Sequence, residues 1–400
     1  MSAQASLGSV AELIRGVTFT ASDAHSAPVH GSLPILRAGN IQDALDIASD
    51  LVWVDSALVS PSQRFRLGDI AVCMSSGSAR LVGKSAVLTE PFDGSVGAFC
   101  AIVRPRHELD PDYLGHFLRS PEYWSWRDRS ARGVGIQNLK VADLHDLPIP
   151  LPPLDEQRRI AARLAYAILE ARAALDAVEA RSGELGGLRQ SAIAAAFHTT
   201  LNAARPALGS IGRLVDGDWI LNADYAPSGV RLLQVGDVGR GQLTIKSNRH
   251  VTEQRAAELK CTLLAPGDIL ISRMPQPLGR ACLLPDLGYP CITAVDVTIM
   301  RADPAKVTTG YLVEYLNSDE WYEAADAKSS GATRARISRK NLELLRVPLP
   351  PIDEQRRIAA RLREQLAEID RAKAALDAQR KAIDALPAAL LREMFGNALA

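Results

Sequence analysis

Two hydrophobic patterns run along the chain, and each occurs twice. The first is a series of short apolar runs closed by turn residues. Ile35-Leu36-Arg37-Ala38-Gly39-Asn40-Ile41 returns as Leu232-Leu233-Gln234-Val235-Gly236-Asp237-Val238, and Leu67-Gly68-Asp69-Ile70-Ala71-Val72 returns as Pro266-Gly267-Asp268-Ile269-Leu270-Ile271. Runs this short, rich in β-branched residues and bounded by Gly with Asn or Asp, predict strands joined to tight turns. The second pattern is helical. Tyr113-Leu114, Phe117-Leu118 and Tyr123-Trp124 have the spacing of one helix face, as do Tyr311-Leu312, Tyr315-Leu316 and Trp321-Tyr322. This spacing predicts an amphipathic helix packed on the sheet; a platform for stacking single-stranded bases would need these rings exposed.

The strongest repeat is residues 151–164, LPPLDEQRRIAARL, which return as residues 349–362 with Leu154 exchanged for Ile352. A block repeated half a chain apart marks an internal duplication. Its double proline ends a strand, Asp155 and Asp353 are placed to cap a following helix, and Glu156 and Glu354 suit the first turn of the helix dipole. Beyond it, Ile160, Leu164, Ile168, Leu175 and Val178, and Ile358, Leu362, Leu366, Ile369, Leu376 and Ile383, form one narrow apolar seam per helix. Such a seam suits helix against helix, so the two copies are expected to pair as a coiled coil. Uninterrupted, they would span roughly 40 and 50 Å. That length is compatible with holding two DNA-reading domains about one duplex turn, about 34 to 36 Å, apart. Gly183, Gly186 and Gly187 in the first copy and Pro387 in the second predict a kink or short break. Apolar spacing resumes at Leu188, Ile193 and Phe197 and at Leu386, Leu391 and Phe395, leaving residues 202–206 to link the halves.

Composition narrows the function by exclusion. Forty-six basic residues balance forty-six acidic ones, so a nucleic-acid face has to be local. Five cysteines lie scattered without a CxxC pair, which argues against a zinc site or a disulfide framework. The N-terminus lacks a signal-peptide pattern and no apolar run is long enough to span a bilayer, so a cytoplasmic protein without membrane contact is expected. Residues 77–85, GSARLVGKS, resemble a phosphate-binding loop but hold five residues where four are required. Asp110-Pro111-Asp112-Tyr113 resembles a methyltransferase motif but lacks its second proline, and a helix start capped by Asp110 explains it better. With no GxSxG and no HExxH either, the chain reads as a binding or scaffolding protein, with no enzyme activity and no cofactor expected.

Contact candidates lie in the loops. Residues 75–84 (SSGSARLVGK) and 272–280 (SRMPQPLGR) each follow a strand and end in Gly plus a base. Residues 132–140 (RGVGIQNLK) and 331–340 (GATRARISRK) precede the last strand of each half, and the second is strongly basic, with Gly331 freeing the backbone for close approach.

The doubled LPP block, the Gly-Asn-Ile and Gly-Asp-Val turns, the paired Gly-Asp-Ile strands and residues 188–197 (LRQSAIAAAF) together resemble the specificity subunits of type I restriction-modification systems, over nearly the whole chain. The resemblance implies an α+β architecture: two tandem, mixed α/β target-recognition domains near residues 1–150 and 201–350, separated and followed by long helical regions near 151–200 and 351–400 that pair antiparallel. Each domain would read one half of a split double-stranded DNA site. The helices would set the spacing and dock two methyltransferase subunits, joined by restriction (nuclease-translocase) subunits. Arginine and glutamine can make bidentate contacts to guanine and adenine. The DNA-contact candidates are therefore Arg80, Lys84, Gln137 and Lys140 in the first domain, and Arg273, Gln276, Arg280, Arg334, Arg336 and Arg339 in the second. Glu156, Gln157, Arg158 and Arg159, with Glu354, Gln355, Arg356 and Arg357, are the candidates for partner docking. The alternative is a coiled-coil adaptor that organises a complex without reading DNA.

Overall fold

The computed structural model describes residues 4–130, 137–275, 277–331 and 335–396, and within them the two larger sheets of each half are duplicated strand by strand. Ala11–Arg15, Cys100–Pro105, Ile70–Cys73 and Ser85–Val87 form a four-stranded antiparallel sheet in that order, and Gly212–Asp216, Val297–Ala302, Ile269–Ser272 and Ala281–Leu283 form its counterpart. A three-stranded sheet accompanies each. Ser32–Leu36 lies between antiparallel Val52–Asp55 and parallel Ser95–Val96, as Val230–Leu233 lies between antiparallel His250–Val251 and parallel Cys291–Thr293.

The repeated turn motifs are explained by their buried side chains. Gly68 and Gly267 have φ values of 86° and 92°, the left-handed region that glycine enters freely. The aspartates after them cap their own turns: Asp69 accepts from Arg66 N–H at 2.7 Å and Asp268 from Ala265 N–H at 3.0 Å. Each also holds an arginine of the neighbouring strand, Arg104 at 2.8 and 2.9 Å and Arg301 at 3.0 and 3.2 Å. The Asp69–Arg104 pair is buried, so removing one partner strands the other charge, whereas Arg301 stays 43% exposed.

Asn40 and Asp237 differ for a physical reason. The Asn40 amide donates to the carbonyls of Asp46 and Ser49, whereas the Asp237 carboxylate accepts from the N–H groups of Lys246 and Ser247. The loop that follows offers acceptors in one domain and donors in the other, and the side chain matches it.

The aromatic helices are core elements, as their spacing predicts. Pro111–Phe117 is capped by Asp110, which accepts from Asp112 N–H and Tyr113 N–H. Tyr113, Phe117, Tyr123, Tyr311, Tyr315 and Trp321 are all buried, so none forms an exposed stacking platform.

The long helices run Leu154–His198 and Ile352–Phe395 without interruption. This corrects two expectations. Each helix starts two residues earlier than caps at Asp155 and Asp353 require, so both aspartates sit inside the first turn, where they pair with Arg158 and Arg356. The predicted break is also missing: Gly183, Gly186, Gly187 and Pro387 all lie within helix. A glycine costs only about 1 kcal/mol against alanine in a helix, and the alanine-rich flanks outweigh it. Pro387 is straddled by anchored segments, with Leu362, Leu366 and Ile369 on one side and Leu391 and Phe395 on the other all buried.

Two compact units result, Met1–Val178 with Ala378–Ala400 and Glu179–Asp377. In the first, Leu164 and Phe395 share a core with Tyr113, and Arg163 pairs with Glu393. In the second, Phe197 and Leu362 share a core with Tyr311, and Arg189 pairs with Asp370. The start of one helix therefore meets the end of the other in each unit, which is antiparallel pairing. Phe395 packs edge-on against Tyr113 and Phe117, both at 5.4 Å, and Phe197 against Tyr311 and Tyr315 at 5.3 and 5.2 Å. Each domain core is thus closed by the helix that follows the other domain.

Candidate nucleic-acid interface

The loops singled out for contact sit on one backbone frame in both domains. In the first, Met74 N–H donates to Phe99 O at 2.8 Å and Leu139 N–H to Met74 O at 2.8 Å. In the second, Arg273 N–H donates to Asp296 O at 2.9 Å and Ile337 N–H to Arg273 O at 3.2 Å. These matched bonds make Met74 the counterpart of Arg273, Phe99 of Asp296, and Asn138 of Arg336. The frame is shared and the chemistry is not.

In the second domain the frame carries an ionic cluster. Arg273 donates to Asp216 at 2.6 Å and Arg339 to Asp216 at 3.1 Å and to Glu343, while Arg336 forms an ion pair with Asp296 at 2.7 Å. The Asp216 hydrogen bond and the nearby Glu343 charge raise the Arg339 guanidinium above its ordinary value, whereas burial lowers that of Arg273. Two of the bases that make this stretch strongly basic in sequence, Arg336 and Arg339, are paired with carboxylates in space. Arg336 and Arg339 are about 40% exposed, and ion pairs so exposed are worth roughly 0–1 kcal/mol, so both can exchange a carboxylate for a phosphate or a guanine edge.

Two other candidates point inward. Arg280 is buried and donates to the carbonyls of Val235, Val238, Met274 and Pro277, tying its loop to the Gly-Asp turn. Arg273 is 7% exposed with its Nε unpartnered. Both differ from the sequence expectation because the loop folds back over its own arginines. Gln276 and Arg334 fall outside the described residues.

In the first domain, Arg80 and Lys140 are exposed. Lys140 precedes the short helix Val141–His145, where its N–H donates to Asp143. Lys84 is half-buried beside Arg172 of the first long helix, lining a recess of about 440 Å³ with Gln42, Asp43 and Asp46. Gln137 pairs through its backbone with Ser76, in a two-stranded ribbon of Ser75–Ser76 and Gln137–Asn138; its side chain is outside what is described. Sequence reasoning missed Phe99, 69% exposed beside this ribbon, together with Asp216 and Asp296. Aligning the two halves through Gly16 and Gly217, which make matched bonds to Cys100 O and Val297 O, would have brought these positions together.

Of the docking candidates, Gln157 and Gln355 are a correction. Both are fully buried and make the same three bonds. Gln157 accepts from Asp110 N–H at 2.8 Å and donates to Glu108 O and Pro152 O at 3.0 and 2.8 Å; Gln355 accepts from Thr308 N–H at 2.9 Å and donates to Lys306 O and Pro350 O at 3.0 and 2.8 Å. They clamp each helix start to its own domain and are closed to a partner. Arg158, Arg159, Arg356 and Arg357 are exposed, and Glu156 and Glu354 partly so. Glu156 pairs with Arg159 at 2.5 Å.

Among the described residues no group of three or more His, Cys, Asp or Glu is placed to hold a metal ion, and no helix is long and apolar enough to cross a membrane. All five cysteines are free.

Comparison with known proteins adds to this geometry. The profile described as "Type I restriction modification DNA specificity domain" matches residues 4–172 and 218–378. The type I restriction enzyme StySPI specificity subunit of Salmonella potsdam is 30% identical over 416 residues, covering 99% of this chain and 89% of that one. The EcoKI specificity subunit of Escherichia coli (strain K12) is 29% identical over 392 residues, covering 92% and 82%. A chain solved in work on complex assembly and conformational transition of the type I R-M system shares the fold with a TM-score of 0.75 at 22% identity, over 98% of this chain and 97% of that one. The HsdS subunit from Thermoanaerobacter tengcongensis does so with a TM-score of 0.58 at 22% identity, over 99% and 97%.

Proposed function

The chain belongs to the type I restriction modification DNA specificity family, and from that membership we propose how its parts divide the work. It is the DNA sequence-recognition subunit of a type I complex. Each recognition domain reads one half of a bipartite site, and the long helices set the spacing and dock methyltransferase subunits, with restriction subunits completing the assembly on double-stranded DNA. The subunit is non-catalytic; methyl transfer and cleavage belong to its partners.

Residues 1–150 and 201–350 are assigned as the recognition domains, and 151–200 and 351–400 as the helical regions. The helix starts at Leu154 and Ile352 support this division. Arg80, Lys140, Arg336 and Arg339 are assigned to DNA, some to position the backbone through phosphates and some to reach base edges. Arg158, Arg159, Arg356 and Arg357 are assigned to the methyltransferase subunits; their near-identical surroundings would offer two identical partners the same surface. A DNA substrate supports a cytoplasmic location. The observation that carries the reading is a single backbone frame, present twice, with opposite side-chain chemistry in its two copies.

The test is binding by the complex of this chain with its methyltransferase subunits, on duplexes in which one half of the selected site is scrambled at a time. Scrambling either half should lower affinity, and equal affinity for every duplex would favour the adaptor. Charge reversal of Arg158 and Arg159 together should abolish co-purification with a methyltransferase subunit; unchanged co-purification removes them from the docking surface.

A further inference from the structure

The shared frame carries an inference about how the first domain reads its half-site, which rests on the DNA-reading role proposed above. Where the second domain holds Asp296 and its ion-paired Arg336, the first holds Phe99 and Asn138. The Phe99 carbonyl accepts from both Met74 N–H at 2.8 Å and Ser75 N–H at 3.0 Å, so its backbone is pinned while its ring is 69% exposed. The pinned residue lies beside the ribbon of Ser75–Ser76 and Gln137–Asn138. A two-stranded ribbon is an element the DNA major groove admits. The ring also forms one wall of a recess of about 630 Å³, with Phe19, Arg37, Gln42 and Ser75 among its other walls.

The ring is exposed on a backbone held by two hydrogen bonds, beside a recess that mixes apolar residues such as Val17 and Phe19 with polar ones such as Arg37 and Asn40. In the major groove the apolar feature of a base pair is the thymine C5-methyl group, which phenylalanine contacts favourably. An arginine pair at the equivalent place suits guanine. We propose that Phe99 is a specificity-determining residue of the first domain, recognising an A·T pair in its half-site through the thymine methyl. Asp216 and Asp296 are the counterpart positioning residues that aim the second domain's arginines. The two domains thus differ in the base contact that the shared frame supplies: apolar in the first, charged in the second.

The experiment uses the full chain with its methyltransferase subunits and a duplex library randomised in both half-sites. The wild-type complex should select a split site. Phe99→Ala should lose discrimination at one A·T position in one half-site, by about fourfold, the worth of burying one methyl-sized group, and leave the other half-site unchanged. Replacing the thymine at that position by deoxyuridine, which lacks only the methyl, should weaken the wild type by the same factor and leave Phe99→Ala indifferent. Phe99→Leu, which keeps an apolar tip, should retain part of the preference. A variant that keeps every wild-type preference, or a wild type blind to deoxyuridine, overturns the Phe99 assignment while leaving the DNA-reading role intact. A wild-type complex without any sequence preference overturns both.

Discussion

Replacing Gln157 by alanine removes three hydrogen bonds at a position with no solvent access: one accepted from Asp110 N–H and two donated to Glu108 O and Pro152 O. With a net worth of roughly 0.5–1.5 kcal/mol for each bond and an orphaned buried N–H left behind, the loss should be about 2–4 kcal/mol. Gln157→Glu sharpens the test. Its second oxygen would stand where Nε2 now lies, facing the two carbonyl oxygens at 3.0 and 2.8 Å. Ionised, it repels both; protonated, it can donate to one. Its folded pKa should therefore rise above the usual glutamate value. Between those two values the folded state binds more protons than the unfolded one, so the variant should gain stability as pH falls from neutral toward the ordinary glutamate range. Urea unfolding of the full chain by circular dichroism measures both effects. Gln355→Ala should produce an equivalent loss in the second unit. A Gln157→Ala loss under about 0.5 kcal/mol, the range of ordinary surface substitutions, would refute the clamp. So would a Gln157→Glu protein as stable as wild type at neutral pH.

Other outcomes follow from the same geometry. Asp237→Asn should turn its amide N–H₂ either toward Gln234 N–H or toward the N–H groups of Lys246 and Ser247, and cost about 1–3 kcal/mol in thermal unfolding. Phe395→Ala should cost about 3–5 kcal/mol and destabilise the first unit, detected as faster hydrogen exchange in the helix Pro111–Phe117. His116 is held down to about 4 by burial, with Arg119 adding to the effect. Its unfolded form takes up a proton first, so it should withdraw stability as pH falls from about 6.5 toward 4, and His116→Gln should flatten that part of the acid-unfolding profile. Arg336→Ala should weaken binding at one half-site alone; if Arg336 contacts a phosphate, the salt dependence should drop by about one unit of slope.

The elements that sequence reading recovered are those whose signal is local and doubled. The Gly-Asp turns, the aromatic helices and the helix seam each follow from short-range spacing, and the repeat of the LPP block confirmed their order. What escaped were partnerships across long separations. The basic run near Arg336 looked free because Asp216 and Asp296, its neutralising partners, lie 120 and 40 residues away. Gln157 looked like part of a charged helix surface because its partners, Glu108 and Asp110, belong to a loop almost 50 residues earlier. The glycines at 183–187 carry a local helix penalty, which the alanine-rich flanks outweigh. Phe99 carried no periodic signal and stood out only when the two halves were laid on one backbone frame.

Phe395 and Phe197, each closing the core of the domain from the other repeat, impose a genetic rule. A change in the Tyr113 and Phe117 socket has to be answered almost 280 residues downstream, whereas the nearer Phe197 answers to Tyr311 and Tyr315. Recognition loops have more freedom to diverge, because the aromatic partners of both phenylalanines lie in helices. Exchanging a whole domain between relatives, by contrast, succeeds only when the incoming socket accepts a helix end it did not evolve beside. Compatibility of new specificities should therefore be decided at two aromatic clusters in the domain cores, and second-site suppressors of a failed exchange should map to the final turns of the long helices.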